Sequence, residues 1–200
     1  MRPEAKPDLT GAEPGHIDVI LAFDTSAAHC AAALLCGDRI VTRVEMMAKC
    51  QAERLVPMLD EVLAEAGIDW ADLAAIAVGV GPGNFTGIRI AVALARGLAL
   101  GLGIPAVGVT GFEAVGDGVV VAIPAPRGQV YLKRPGCAAE IVEAAPAGAV
   151  HLAEMPVADM VAAMARLGRR RHGALARPAP FYLRGADAAP ATDPPPVILP

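Results

Sequence analysis

Gly79-Val80-Gly81-Pro82-Gly83-Asn84-Phe85-Thr86-Gly87-Ile88-Arg89-Ile90 is the stretch on which the reading of the whole chain turns. An apolar run from Ala74 to Val80 enters it, and a long apolar helical pattern from Ile88 to Leu102 leaves it. The order is therefore strand, glycine-rich turn, helix. Glycine lets backbone N–H groups approach a ligand closely, and a helix N-terminus favours anions. The same residues also make a tight strand-to-helix connection capped by Asn84 or Thr86. No lysine follows the glycines, so this is not the GxxxxGK[ST] phosphate loop.

Upstream, Ile17 to Phe23 and Cys30 to Leu35 read as strands. Gly37-Asp38 marks a hairpin into a third strand, Arg39 to Met47. Gln51 to Ala66 has helical period, with Leu55, Leu59 and Val62 on one stripe; Pro57 predicts a kink or a start near Arg54, and Gly67 a stop. Asp69 caps a short turn through Leu73. Downstream, the helix Thr86 to Gly101 breaks at Gly103-Ile104-Pro105, and a short strand follows at Ala106 to Val109. The resulting order, β-β-β-α-β-α-β, is that of ribonuclease-H-like domains in the actin-like ATPase (ASKHA) superfamily, an α/β fold. The second half is less regular. Val119 to Ile123 and Gln129 to Lys133 are expected strands, Met155 to Leu167 a helix, and Phe181-Tyr182-Leu183 an edge strand, with Ala138 to Val150 left open. The expected organisation is an extension at 1–16, an N-terminal lobe at 17–116, a shortened C-terminal lobe at 117–187 and a Pro-rich tail at 188–200.

Two hundred residues with 54% hydrophobic and 19% charged content supply a substantial core. Aromatic residues are only 4%, so Ala, Val and Leu must do the packing. A net charge of −4 disfavours stand-alone nucleic-acid binding. Cys30, Cys36, Cys50 and Cys137 form no C-x-x-C pair. The polar start is unlike a secretory leader, and Arg89 and Arg96 interrupt the longest apolar stretch, so a cytoplasmic protein off the membrane is expected.

Chemistry-bearing residues are few. Asp24-Thr25-Ser26 ends the first strand, where an acidic residue beside hydroxyls either holds a metal–phosphate group or forms a local turn. With Gly81, Gly83, Thr86 and Gly87, Asp24 and Thr25 are the candidate vestigial phosphate site. HExxH and G-x-S-x-G are absent, and His16, His29, His151 and His172 show no ligand spacing; each is expected to be solvated or locally hydrogen-bonded. Arg169-Arg170-Arg171-His172 suits a helix C-terminus. Ile88, Val92, Ala95 and Ala99 form one stripe of the second helix, and Ile90, Leu94 and Leu98 a second. Stripes such as these and Leu55–Leu59–Val62 are usually core; the competing reading is that a helix apolar most of the way round meets its own sheet on one side and a partner on the other. The candidate interface is therefore Leu55, Leu59, Val62, Ile88, Val92, Ala95 and Ala99.

Asp24-Thr25-Ser26, Gln51 to Pro57, Gly79 to Ala91 and Gly97-Leu98-Ala99 together resemble the TsaB (YeaZ) family of bacterial tRNA threonylcarbamoyladenosine biosynthesis proteins. The resemblance is specific from Ile17 to about Val115 and continues weakly at Arg127 to Tyr131 and Phe181 to Arg184. It implies a two-lobed actin-like fold and a non-catalytic role beside the paralogue TsaD, which modifies the adenosine next to the anticodon of tRNAs reading ANN codons. It also implies TsaE as a further component, tRNA contact only through the complex, and a homodimer in isolation. The two helices of the N-terminal lobe are the implied interface. Gln51 stands where the family often has His, and the pair Gln51 and Leu55 cannot replace the HxxxH metal ligands of TsaD. Pro124 falls where the family has Asp, and Asn84 replaces Ser. No cofactor is required on this reading, with weak ATP or ADP binding left open. The alternative is a stand-alone actin-superfamily ATPase or small-molecule kinase using Asp24 near Mg²⁺–phosphate.

Overall fold

The computed structural model describes residues 18–173 and 177–183. The expected extension at 1–16, the tail at 188–200 and Arg184 lie outside the described residues. The chain builds two sheets. In the first, β1 (Val19–Asp24), β2 (His29–Cys36) and β3 (Arg39–Met46) form an antiparallel meander, and β4 (Ala75–Gly79) and β5 (Ala106–Val109) add in parallel beside β1. The strand order is β3-β2-β1-β4-β5. Helix α1 (Gln51–Ala66) links β3 to β4, and α2 (Phe85–Leu102) links β4 to β5. This is the element order expected from the sequence. The predicted short turn after Asp69 is a 3₁₀ turn at Trp70–Asp72.

The central strands are buried on both faces, and alternation along each strand splits the core in two. Leu21, Phe23, Leu34, Ile76 and Val78 meet Leu55, Met58, Leu59 and Val62 of α1 and Ile88, Ala91, Val92 and Ala95 of α2. Ile20, Ala22, Ala31, Ala33, Ala75 and Ala77 point the other way, toward Met160, Val161, Met164 and Ala165 of α4 (Val157–Arg171). The alanines bring α4 close: a Cβ on Gly168 would sit 2.8 Å from the Ala77 Cβ. The expected division at 117 is revised by this packing. The helix assigned to the second lobe covers the first sheet, because its apolar stripe matches the otherwise bare alanine face.

The second sheet has order β8-β7-β6-β9, from β6 (Val121–Pro124), β7 (Val130–Lys133), β8 (Glu140–Val142) and β9 (Val150–His151). A short helix, α3 (Gly111–Val115), leads into it. It was not anticipated, although Thr110-Gly-Phe-Glu113 is a capping box in the sequence and both reciprocal bonds form. Pro57 does not divide α1, which runs from Gln51; the residue is exposed, where the carbonyl freed by the missing N–H reaches water. Phe181 to Leu183 is not a strand. Phe181 N–H donates once to the Val80 carbonyl at 2.8 Å, and the side chains anchor the segment instead. Phe181 packs edge-on to Phe112 and Tyr182 on Phe85, with Arg89 stacked 3.7 Å from the centre of the Phe85 ring.

Candidate functional site

The ends of β1 and β4 lie side by side, and the turns that follow them are joined backbone to backbone. Asn84 N–H donates to the Ser26 carbonyl at 2.6 Å, and the Thr25 hydroxyl donates to the Gly87 carbonyl at 2.7 Å. A Cβ at Gly83 would fall 2.3 Å from the Ser26 carbonyl oxygen, and one at Gly87 1.8 Å from that of Thr25. No side chain fits at either position, so the glycines serve a contact between two loops. Asn84 is the helix cap, accepting from Gly87 N–H at 2.8 Å.

Asp24 is fully buried. Its Oδ1 accepts from the Ser26 N–H and hydroxyl, both at 2.9 Å, and bonds His29 Nε2 at 2.7 Å. Its Oδ2 is buried with no hydrogen-bond partner. That oxygen points at Gly79, whose Cβ, if present, would lie 1.7 Å away. Gln51 opens α1 and donates through Nε2 to the carbonyls of Ala27 at 2.7 Å and His29 at 2.6 Å, tying the β1–β2 turn to the helix. Its amide nitrogen is thereby committed, and no cluster of three or more His, Cys, Asp or Glu able to hold a metal occurs among the described residues.

Between the two sheets lies a cavity of about 540 Å³, walled by Ser26, His29, Gln51 and Asn84 on one side and by Ile123, Tyr131, Leu152, Met155 and Met160 on the other. Of the six expected phosphate-site residues, Asp24, Thr25, Gly81, Gly83, Thr86 and Gly87, Gly83 alone lines it. Asp24 and Thr25 are sealed beneath the glycine turn, and Asp24 spends one oxygen on internal donors and faces glycine with the other. Thr86, by contrast, is exposed at the start of α2. His29, expected to be solvated or locally hydrogen-bonded, bonds Asp24 five residues away across the β1–β2 turn and lines the cavity.

The expected interface stripe is also corrected. Leu55, Leu59, Val62, Ile88, Val92 and Ala95 are at most 3% exposed, and Ala99 is half-buried. They are the inner faces of α1 and α2, occupied by this chain's own sheet. The outer face of α2 presents Arg89, Ala93, Arg96, Gly97 and Leu100, with Leu100 84% exposed, and Val56 and Pro57 lie exposed on α1. By length and composition α2 is apolar enough to cross a membrane, yet its inner stripe is built into the core and two arginines stand on its outer face.

Charged groups elsewhere are structural. Arg54 and Arg43 bridge Glu45, Glu61 and Glu65 across β3 and α1, and the Arg54 hydrogen bonds hold the Glu45 and Glu61 carboxyls below their ordinary range. In the basic cluster, Arg169 donates to the Gly37 carbonyl, Arg171 pairs with Glu113 and His172 with Asp18.

Comparison with known proteins agrees with this architecture. The TsaD family model, tRNA N6-adenosine threonylcarbamoyltransferase, matches residues 44–133. The chain is 36% identical over 121 residues to the tRNA threonylcarbamoyladenosine biosynthesis protein TsaB of Escherichia coli (strain K12), covering 56% of this chain and 52% of that protein. It is 34% identical over 124 residues to the TsaB protein of Haemophilus influenzae, covering 58% and 52%. The chain thus spans about half the length of the curated TsaB relatives it matches. Among solved structures, YeaZ from Pseudomonas aeruginosa superposes with a TM-score of 0.67 at 27% identity, covering 84% of this chain and 100% of that one. The chain is thus homologous in sequence to the TsaB (YeaZ) proteins over the matched part and shares the mixed α/β fold of YeaZ.

Proposed function

We propose that this chain is a non-catalytic subunit of the assembly that places threonylcarbamoyl on the adenosine beside the anticodon of ANN-reading tRNAs, and that it acts by pairing with a TsaD-type protein. One observation carries the reading: the outer face of α2 leaves a strip of small and apolar residues exposed at Ala93, Gly97 and Leu100, beside Arg89 and Arg96. Exposed contiguous apolar surface marks association, and small residues let a partner helix approach closely. The candidate interface moves one face outward from the stripe read in the sequence. Val56 and Pro57 of α1 extend it, and half-buried Ile90, Leu94, Leu98 and Ala99 form its floor. In the absence of TsaD the same face serves a homodimer; TsaE joins only the larger assembly, and tRNA is met only through the complex. A finer assignment of the first sheet with α1 and α2 as ribonuclease-H-like, in an actin-like ASKHA arrangement, rests on the β-β-β-α-β-α-β order. Affinity for ATP or ADP is expected to be weak at most, since Asp24 and Thr25 are buried. Among the described residues no group of three or more His, Cys, Asp or Glu is placed to hold a metal. The test is reconstitution: tRNA modification by the same organism's TsaD should depend on adding this chain. Full modification without it would refute the proposal.

A further inference from the structure

The cavity between the sheets has polar atoms that the fold does not use. His29 is 4% exposed and Tyr131 5%, and both line it. His29 Nε2 lies 2.7 Å from the Asp24 carboxylate, an acceptor, and in the neutral ring this puts the proton on Nε2. This leaves Nδ1 as a lone-pair acceptor. Neither His29 Nδ1 nor the Tyr131 hydroxyl has a hydrogen-bond partner among the described residues, and neither is among the sealed, unpartnered atoms, of which Asp24 Oδ2 is the only one described. The amide oxygen of Gln51, whose nitrogen is committed to backbone carbonyls, is in the same position. The residues that carry these three groups, His29, Gln51 and Tyr131, all line the one cavity. Ser26 and Asn84 add uncharged polar side chains, and Met46, Ile123, Leu152, Met155, Val157 and Met160 make an apolar surface. Among the described residues no Lys, Arg, Asp or Glu lines it. A cavity of about 540 Å³ with apolar walls and a few oriented polar atoms has the size and character of a small-molecule site.

We propose that this cavity is a binding site for an uncharged organic molecule of the carboxamide or lactam class. Its N–H donates to His29 Nδ1 or Gln51 Oε1, its carbonyl accepts from the Tyr131 hydroxyl, and its apolar body lies against the methionines. The absence of any cation on the wall is what selects a neutral ligand over a phosphate or carboxylate, because a buried anion needs a paired charge. Asp24 is a positioning residue: it fixes the tautomer of His29 from below and does not touch the ligand. The inference is independent of pairing with TsaD.

Methionine methyl NMR on the full chain tests it, with benzamide as the probe and benzoate, its anionic counterpart, and Mg-ATP as comparisons. Benzamide should shift the Met46, Met155 and Met160 methyls and leave the core residues Met58 and Met164 in place. Tyr131→Phe should weaken it about tenfold, with the Met58 and Met164 signals certifying the fold; His29→Gln should weaken it comparably. Benzoate and Mg-ATP should produce no matching shifts. No shift with benzamide at millimolar concentration, equal shifts at Met58 and Met164, equal binding of benzoate, or unchanged affinity in Tyr131→Phe would each overturn the proposal.

Discussion

Gly79→Ala probes the link between Asp24 and the glycine turn most sharply. The new methyl would lie 1.7 Å from Asp24 Oδ2 and 2.7 Å from its Cγ. Relief requires the carboxylate to move by well over an ångström. It is not free to do so, because Oδ1 is held by Ser26 N–H, the Ser26 hydroxyl and His29. Overpacking in a core costs about 1–3 kcal/mol, and each hydrogen bond to a charged group contributes about 1.5–3 kcal/mol. Loss of one such bond together with the steric cost gives a destabilisation of about 3–5 kcal/mol, a large share of the ~5–15 kcal/mol typical of a domain. Urea unfolding followed by circular dichroism should show the midpoint falling with the slope unchanged. The cause is specific, so it should be partly relieved when the carboxylate is absent: in the cycle with Asp24→Ala, the double variant should be less destabilised than the sum of the singles by more than about 1 kcal/mol. A loss under about 1 kcal/mol for Gly79→Ala, or strict additivity with Asp24→Ala, would refute the reasoning.

Other consequences follow from the same packing. Leu59→Ala, at a fully buried site, should cost about 2–5 kcal/mol, whereas Leu100→Ala, 84% exposed, should change stability by no more than about 0.5 kcal/mol; urea midpoints for the pair separate core from surface. Burial pushes the Glu113 carboxyl up, but the hydrogen bonds from Thr110 N–H and hydroxyl and from Arg171 outweigh it and hold the pKa below the ordinary value. Its folded pKa being depressed, Glu113 contributes stability above the unfolded value of about 4.3 and loses it as pH falls through the folded one, so Glu113→Gln should flatten the acid limb of a stability–pH curve. Burial raises the Cys30 thiol from 9.0 to about 11. The folded state then keeps a proton that the unfolded state releases, so stability should fall as pH rises from about 9 toward about 11, and Cys30→Ala should remove that slope. At pH 8 a thiol reagent should label Cys50 and Cys137 at once and Cys30 only on unfolding.

The first sheet was legible because its signals are local. The hairpin at Gly37-Asp38, the stop at Gly67 and the strand-turn-helix around Gly79 each specify one feature, and the two-residue hairpin fits the pairing of Cys36 with Arg39. What was not legible depends on distance. The stripe Leu55-Leu59-Val62 and the stripe Ile88-Val92-Ala95 have the right period for a buried face, but periodicity does not say whether the sheet or a partner covers it; only the packed strands assign both to the core. Likewise α4 follows the second sheet in sequence and yet covers the first, because alanines on β1, β2 and β4 leave the room its methionines fill. The glycine turn, which the sequence leaves open between a ligand-approaching loop and a tight strand-to-helix connection, packs against the carbonyls of Thr25 and Ser26, and the Thr25 hydroxyl reaches the Gly87 carbonyl across 62 residues. The Asp24–His29 pair was hidden for a different reason: a lone histidine carries no ligand spacing, and the β1–β2 turn alone brings it onto the carboxylate. Thr110 and Glu113 are a missed local signal, since the capping box of α3 stands in the sequence as written.

The central claim is that the outer face of α2 is where this chain meets TsaD. Size-exclusion chromatography with light scattering, on the chain alone and mixed with the same organism's TsaD, tests it most directly, with Leu100→Glu and Ala93→Glu run beside the wild type. The account predicts a stoichiometric heterocomplex with the wild type and its loss in both variants, each retaining the wild-type circular dichroism spectrum. A wild type that forms no complex, or folded variants that bind TsaD as well as the wild type does, would contradict it.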